Sequence, residues 1–505
     1  MTILNKVPIS KLSYEEAIKA LNSLQTNALT LQKIRKERQR SVHLNLPITR
    51  KYLERSGMRI EDLNSLKIIH VSGTKGKGST CAFCESILRH SGLKTGFFSS
   101  PHLVSVTERI KINGRPVDQE MFTSYFWDIY NKVCKDRDED DRPPYFKFLT
   151  LLAFNIFWKE KVDVAIIEVG IGGQYDCTNI IEKPTVTGIT SLGLDHTSIL
   201  GTEITDIAWH KAGIMKKDVV NFVDPHQKPE AIDVIWQRAG EIGSQTLFAP
   251  ALDEYKWPAG QPPKLGLYGE VQQHNASLAL ALSSHFLSVH GDTAGDSDVV
   301  RKQVVRDSVV VRKEVVRGLE QTVWPGRNQT MTRDSTVFYL DGAHTEESIC
   351  SCVDWFSSVS SKSGSVFRVL IFNTTGDREV RCLLTPLSSL DFDLVIFCTN
   401  TSSCSDSADQ QNYNSNYKIQ LSRCDLHDKT WRDLMMEQRK SQTPASVIIP
   451  CYNDAISWIS KHHCDNLPAS SCQHSLPDKV TQSERLEILV TGSLHLIGGV
   501  LGFMS

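Results

Sequence analysis

The sequence predicts an α/β protein of two domains, each built on a mostly parallel sheet. Its 505 residues suffice for two or more domains of about 150 residues each, and 40% of them are hydrophobic, which provides for packed cores. Short β-rich runs alternate with helical stretches in two series, which a charged stretch near 289–318 separates. Strands that alternate with helices favour a parallel sheet covered on both faces. We place the domains at 1–317 and 318–505.

Composition and charge exclude several classes of protein. Lys and Arg total 56 against 58 Asp and Glu, so the net charge of −2 supplies no global basic field for nucleic acid. No run of about 18 apolar residues predicts a transmembrane helix. Thirteen cysteines without a repeating spacing favour reduced thiols, and the first residues lack a signal-peptide pattern. We expect a cytoplasmic protein, with a mitochondrial form from an upstream start left open.

The elements of the first domain follow from periodicity and turn residues. Ser13 to Glu16 has capping-box spacing before an amphipathic helix. Asn113-Gly114 predicts a hairpin, the local exception to parallel pairing. The remaining elements alternate: strands at 67–71, 95–98, 162–169 and 185–190, and helices at 77–90, 121–133, 146–160 and 204–214.

The second domain repeats the alternation after Trp324-Pro325-Gly326-Arg327. The stretch 289–318 carries charges and valine doublets without a clear period, so we interpret it as an insertion or linker. Two polar, turn-rich segments, 401–415 and 464–483, are predicted loops. The predicted strands are 336–340, 367–372, 394–397, 446–449 and 486–490.

A glycine-rich turn follows the first predicted strand. Residues 72–80 read Ser-Gly-Thr-Lys-Gly-Lys-Gly-Ser-Thr and lead into a helix. Glycines let backbone N–H groups approach an anion, the helix N-terminus adds a positive dipole end, and Lys77 adds a charge. The spacing departs from the usual G-x-x-x-x-G-K-[ST], because position 71 is Val. A plain surface turn is the alternative, but the strand and helix favour a nucleotide site at Gly76, Lys77, Gly78 and Ser79.

Three polar residues are candidates for a metal site. Glu168 ends an apolar strand, and ligands of α/β proteins bind at the carboxyl ends of parallel strands. Ser100 follows another short strand, so its hydroxyl could reach a cation that prefers oxygen ligands, such as Mg²⁺. His196 lies between Asp195 and Thr197. Read alone, Ser100 suits a turn and His196 suits a structural histidine.

Several motifs together resemble the Mur-ligase-like ATP-dependent amide ligases, and among them the folylpolyglutamate synthase family. The glycine turn resembles the G-T-x-G-K-G-S/T loop of that superfamily, and Phe-Ser-Ser-Pro-His-Leu at 98–103 resembles the folylpolyglutamate branch. The resemblance implies a P-loop-type N-terminal domain, like the central domain of Mur ligases, and a Rossmann-like C-terminal domain. Further matching motifs lie at 108–110, 168–173, 175–179, 194–197, 324–327, 340–344 and 491–496.

The resemblance implies roles for residues that the sequence alone leaves ambiguous. By it, Ser100 and Glu168 bind one Mg²⁺ and His196 binds a second. Lys211, which read alone is a solvated lysine, matches a lysine that related enzymes carbamylate to help hold the second ion. The predicted catalytic residues are Lys77, His196 and Lys211.

The second domain is implied to contribute nucleotide-binding residues of its own. Arg327 follows Pro-Gly in a rigid turn, and Asp341 closes a strand. By the resemblance, both contact ATP, and His344 joins them. Read alone, Arg327 and Asp341 could be ordinary turn residues.

The implied activity is ATP-dependent addition of L-glutamate, in γ-linkage, to reduced folates through an acyl phosphate. The chain would then act as a monomer on ATP, folate and glutamate, with Mg²⁺ and a monovalent cation such as K⁺. Dihydrofolate synthase, or an enzyme with both activities, is the nearest alternative. A P-loop nucleotide switch or binding module is the alternative from another class.

Two cysteine and histidine patterns could be mistaken for zinc sites. Cys81-x-x-Cys84 falls on the helix after the glycine turn, which favours buried thiols. A second set lies in a predicted loop and is a weak candidate; it comprises His462, His463, Cys464, Cys472 and His474. The folate pocket is not located, although 43–53 and 97–109 are candidate segments.

Overall fold

The computed structural model describes residues 13–25, 42–290, 311–361, 365–376, 378–403, 417–438, 444–463 and 483–504. The chain divides into two compact units. Unit 1 comprises Met1–His102, Val106–Gly266 and Glu270–Val323. Unit 2 comprises Trp324–Ser505 with two short segments, Leu103–Ser105 and Leu267–Gly269. The two-domain α/β fold class predicted from the sequence is confirmed.

Unit 1 contains an eight-stranded, mostly parallel sheet in the order β4-β3-β2-β5-β1-β6-β7-β8. Only the β2–β3 and β3–β4 pairs are antiparallel. The β3–β4 pair is the hairpin predicted at Asn113-Gly114, whose φ angles are both positive. The strands are β1 (Ile68–Ser72), β2 (Thr95–Phe98), β3 (Ile110–Ile112), β4 (Arg115–Pro116), β5 (Val164–Glu168), β6 (Val186–Ile189), β7 (Val220–Val223) and β8 (Gln245–Phe248).

Helices cover this sheet, so its central strands are buried on both faces. In order they are α1 (Tyr14–Asn22), α2 (Asn45–Arg55), α3 (Ile60–Asn64), α4 (Lys77–His90), α5 (Gln119–Val133), α6 (Tyr145–Lys159), α7 (Thr197–Leu200), α8 (Ile204–Ala212), α9 (Pro229–Ile242), α10 (Val271–His290) and α11 (Lys313–Glu320). The capping box predicted at Ser13 is present.

The prediction of an insertion or linker at 289–318 is wrong at the two ends that the structure describes. Helix α10 ends only at His290, and α11 occupies Lys313–Glu320. Val315 and Leu319 of α11 are buried, and Gly318 allows close packing on α4, since a Cβ there would lie 2.5 Å from Ile87 Cα. Tertiary packing thus fixes a helix in a segment too short to show a period. Residues 291–310 lie outside the described part of the chain.

Unit 2 contains a six-stranded sheet in the order β13-β12-β11-β14-β10-β9, parallel except for the β9–β10 pair. Its strands are β9 (Gln329–Arg333), β10 (Thr336–Leu340), β11 (Val366–Phe372), β12 (Leu394–Cys398), β13 (Ala445–Ile449) and β14 (Arg485–Thr491). Its helices are α12 (Glu346–Val359), α13 (Val380–Leu387), α14 (Tyr417–Glu437), α15 (Tyr452–His463) and α16 (Leu494–Met504).

The remaining predictions concern loops, thiols and membrane spans. Most of the predicted loops, 404–415 and 464–482, lie outside the described residues, as do Cys464, Cys472 and His474 of the weak zinc candidate. Cys81 and Cys84 are buried free thiols on α4, as predicted. Among the described helices, none is long and apolar enough to cross a bilayer.

Candidate active site

The glycine turn between β1 and α4 has a backbone that only glycine tolerates at two positions. Gly73 has φ +146° and Gly76 has φ +84°. A Cβ at Gly73 would lie 1.8 Å from Thr190 Oγ1, and one at Gly76 would lie 2.1 Å from Asn275 Oδ1. The unusual spacing of the motif therefore still provides a left-handed glycine directly before the helix.

Helix α4 begins at Lys77, with Gly76 as an N-cap that offers no side chain. The first N–H groups of a helix lack partners within it, so the Lys77, Gly78 and Ser79 segment suits an anion. The Lys77 side chain folds back over the turn, where its Nζ donates to the carbonyl oxygens of Gly73 at 3.1 Å and Thr74 at 3.4 Å. A positive charge and a positive dipole end thus meet at this turn.

Glu168 and Ser100 lie together at the carboxyl end of the sheet. Strand β5, which Glu168 ends, pairs in parallel with both β1 and β2, and Ser100 follows β2. The backbone N–H of Ser100 donates to Glu168 Oε2 at 3.0 Å, and Glu168 is 4% exposed. A buried carboxylate beside a serine hydroxyl gives the oxygen donors that Mg²⁺ prefers, so these two residues fit such an ion.

The turn after Glu168 is fixed by the predicted Tyr-Asp-Cys-Thr-Asn motif. The carboxylate of Asp176 accepts the N–H of Ile171 at 3.1 Å and both the N–H and the hydroxyl of Thr178, at 2.9 and 2.6 Å. Burial raises the pKa of Asp176, and these donors oppose the rise. The motif therefore holds the backbone that follows Glu168.

Lys211 is buried, contrary to the solvated lysine that its sequence alone indicates. It is 3% exposed on α8, and its Nζ donates to the carbonyl oxygen of Gly73 at 2.7 Å. The Ser72 hydroxyl in turn donates to the Lys211 carbonyl oxygen at 2.9 Å. Burial, and secondarily the charge of Lys77, hold the pKa of Lys211 well below its ordinary value. The same burial favours the neutral amine over the ammonium form.

His196 lies in the left-handed region, with φ +52°, directly before α7. Burial lowers the pKa of His196, Asp195 opposes the shift, and the Lys211 and Lys77 charges lower the pKa further. Asp195 itself pairs with Lys75 of the glycine turn at 3.1 Å. His196 thus belongs to the same electrostatic cluster as Lys77 and Lys211, and its neutral imidazole could bind a metal.

Two candidates of unit 2, Asp341 and His344, lie in the turn after β10, and the third, Arg327, lies just before β9. The Asp341 carboxylate accepts the N–H groups of Asn328 at 2.8 Å and Ala343 at 2.9 Å. Burial raises the pKa of Asp341, and the Arg327 guanidinium opposes that rise. His344 lies at the same turn, since its Nδ1 is 2.8 Å from the Gly342 carbonyl oxygen.

Sequence reasoning missed partners that only the fold brings together. Asn275 of α10 abuts Gly76, and the Thr80 hydroxyl lies 3.4 Å from its Oδ1. Thr190 donates from its hydroxyl to the Lys75 carbonyl oxygen at 2.6 Å. No motif spacing links residues so far apart in the chain, so no signal in the sequence could have paired them.

Comparison with known proteins places the chain in a family. No family model matches the chain. It is 41% identical to the mitochondrial folylpolyglutamate synthase of Bos taurus, over 97% of this chain and 92% of that protein. The corresponding human protein is 42% identical, with 97% and 91% covered. A Mycobacterium tuberculosis folylpolyglutamate synthase complexed with ADP shares the fold, with a TM-score of 0.68 and 23% identity over 97% and 99% of the two chains. The resemblance seen in the motifs is confirmed, and the chain belongs to the folylpolyglutamate synthase family.

Proposed function

We propose that this protein is an ATP-dependent ligase that adds L-glutamate in γ-linkage to reduced folates and folylpolyglutamates. The observation that carries the proposal is the buried Glu168 carboxylate, which accepts the N–H of Ser100 and ends strand β5, the neighbour of the strand before the glycine turn. Relatives at about 40% identity over nearly the whole chain bear the name of this activity. Each added glutamate lengthens a polyanionic tail, which retains folates in the cell for one-carbon metabolism.

The chemistry requires activation of a carboxylate. A carboxylate is a poor acylating agent, because its carbonyl carbon is shielded by negative charge and it lacks a good leaving group. In the proposed sequence, the γ-carboxylate of folate attacks the γ-phosphate of ATP and releases ADP. The amine of glutamate then attacks the acyl phosphate, and the tetrahedral intermediate expels phosphate. Lys77, folded over the glycine turn, stabilises charge on the transferring phosphoryl group.

The glycine turn and the turn of unit 2 are both proposed to bind ATP. Gly76, Lys77, Gly78 and Ser79 offer backbone N–H groups and one ammonium to the phosphates. Further proposed contacts with ATP come from Asp341 and His344 in the turn after β10, and from Arg327, which lies just before β9.

Two Mg²⁺ sites are proposed at the glycine turn. Glu168 and Ser100 offer oxygen donors for the first, and His196 would bind the second. Bound Mg²⁺ would screen the phosphate oxygens. Lys211 is buried beside the glycine turn, and burial favours its neutral amine, the form that adds CO₂. We propose that it becomes a carbamate, whose negative charge would help to hold the second ion. A requirement for K⁺ is part of the same proposal.

The cellular setting is also a proposal. We infer a monomer that works in the cytoplasm. Both mammalian relatives are named mitochondrial, so a mitochondrial form of this protein is the natural companion.

One assay separates this function from its alternatives. ADP formation is measured with Mg²⁺-ATP and glutamate, together with either a folate monoglutamate or dihydropteroate. The proposal predicts ADP release that requires both the folate and glutamate, with a product longer by one glutamate. Strict dependence on dihydropteroate would indicate dihydrofolate synthase, and response to both acceptors would indicate an enzyme with both activities. ADP release that ignores both acceptors would indicate a nucleotide switch.

A further inference from the structure

Three metal-ligating side chains converge outside the proposed active site. One potential ligand atom from each of Asp224, His226 and His274 lies within 4.8 Å of the other two. Asp224 and His226 follow β7, at the carboxyl end of the sheet, and His274 belongs to the first turn of α10. The sequence separates the aspartate from the second histidine by a helix and a strand, so only the fold makes this cluster.

The aspartate is fixed before any ligand binds. Its backbone N–H donates to the Ile189 carbonyl oxygen at 2.9 Å, which continues the β6–β7 register, and its side chain is 4% exposed. Oδ1 of Asp224 accepts the backbone N–H of His226 at 3.0 Å and lies 3.0 Å from Nδ1 of the same residue. A buried carboxylate thus holds the imidazole of His226 beside it.

The second imidazole faces the first without a polar partner. The ring centroids of His226 and His274 are 3.7 Å apart, with an interplanar angle of 44°. Within the described part of the chain, neither ring nitrogen of His274 makes a hydrogen bond. Ligand atoms around a tetrahedral Zn²⁺ are about 3.4 Å apart, so small side-chain rotations would bring these three into register.

We propose that Asp224, His226 and His274 bind one zinc ion. Two imidazoles and a carboxylate are a ligand set that Zn²⁺ accepts, whereas Mg²⁺ prefers oxygen donors alone. His226 is exposed, which leaves the fourth position of the ion open to solvent.

The ion would join two segments that border the glycine turn. Gln227, next to His226, donates from its amide to the Thr190 carbonyl oxygen at 3.1 Å. Asn275, next to His274, packs against Gly76. Zinc would therefore tie the loop after β7 to the start of α10 and stabilise unit 1 against unfolding.

The test counts zinc on the full-length protein. After treatment with a chelator, the protein is dialysed against micromolar Zn²⁺ in excess Mg²⁺, and bound zinc is measured by mass spectrometry. The comparison is between the wild type, the double variant His226→Ala/His274→Ala, and His285→Ala, which removes another histidine of α10. Thermal unfolding without zinc verifies that the variants are folded.

We expect the wild type and His285→Ala to bind one more equivalent of zinc than the double variant, and zinc to raise the Tm of only those two proteins. Asp224→Asn should weaken zinc binding at least tenfold. Substitution of Co²⁺ for Zn²⁺ should give the visible absorption bands of a four-coordinate site in the wild type and in His285→Ala, but not in the double variant. Equal zinc counts in the wild type and the double variant would overturn the proposal, whatever the result of the ligase assay.

Discussion

The substitution Gly76→Ala tests the conformation of the glycine turn, because a matched control exists in the same unit. Gly76 and Gly92 have φ angles of +84° and +89°. An alanine in this region costs about 1–2 kcal/mol, and both variants should bear that cost. At Gly92 an added Cβ meets nothing within 4 Å, whereas at Gly76 it would lie 2.1 Å from Asn275 Oδ1 and 3.0 Å from Asn275 Cγ.

The neighbour at Gly76 has little room to move. Asn275 is 7% exposed, and its amide donates to Gln272 Oε1 at 3.0 Å. Overpacking of this kind costs about 1–3 kcal/mol. We therefore expect Gly76→Ala to lower the free energy of unfolding of unit 1 by about 2–5 kcal/mol, against about 1–2 kcal/mol for Gly92→Ala.

Native-state hydrogen exchange of the β1 amides reports the stability of unit 1, and steady-state kinetics report the KM for ATP. Gly76→Ala should raise that KM at least tenfold, since it displaces the turn that we propose binds phosphate, and Gly92→Ala should leave it unchanged. In Gly76→Ala/Asn275→Ala the steric part of the loss should be recovered. Equal destabilisation by Gly76→Ala and Gly92→Ala, with an unchanged KM for ATP, would refute this reasoning.

Four further predictions address single residues. Glu168→Gln should lower kcat by about 10²–10³ and raise the Mg²⁺ concentration needed for ADP formation, whereas Glu160→Gln, which changes a carboxylate paired with Lys94 after α6, should not; an unchanged Mg²⁺ requirement in Glu168→Gln would contradict its role. Lys211→Met should lose at least about 100-fold in kcat, and wild type freed of CO₂ should regain activity with bicarbonate; activity indifferent to CO₂ removal would argue against a carbamate. Asp341→Asn should raise the KM for ATP, measured at saturating folate, because a neutral amide no longer attracts the Arg327 guanidinium; an unaltered KM would contradict the proposed contact of Asp341 with ATP. Burial lowers the pKa of Lys216 to about 8 in the folded protein, against 10.5 ordinarily. Between these two pH values the unfolded state binds the extra proton, so the free energy of unfolding of the wild type rises by up to about 1.4 kcal/mol per pH unit as pH rises. The stability advantage of Lys216→Met over the wild type, measured by urea unfolding, should therefore shrink over that window, and a constant difference would contradict the assignment.

The central elements of the fold were predictable because strong local signals mark where they begin and end. Strand β1 and helix α4 flank a glycine turn that marks both ends, and α4 begins and ends where the sequence predicts, at Lys77 and His90. The outer strand β8, Gln245–Phe248, was missed because it is short and partly exposed, with no clear apolar alternation. Helix α11 was missed because its burial depends on Gly318 meeting α4, which no local pattern reveals.

The candidate site was predictable only in part. Residues that end strands, such as Glu168 and Ser100, could be expected at one edge of a parallel sheet, but that β2 and β5 are neighbours is a property of the strand order. The burial of Lys211 could not be read from its own helix, whose flanking residues look amphipathic in isolation. The cluster of Asp224, His226 and His274 could not be predicted, since Asp224 and His226 are neighbours in the chain but His274 joins them only in the tertiary structure.

Transfer of oxygen from folate to phosphate tests the central claim most directly. A folate substrate labelled with ¹⁸O in both oxygens of its γ-carboxylate is turned over with ATP and glutamate, and the released phosphate is examined by mass spectrometry. If the carboxylate is phosphorylated before glutamate attacks, each phosphate carries one ¹⁸O. Phosphate without label, formed at the same rate as the glutamylated product, would contradict an acyl phosphate.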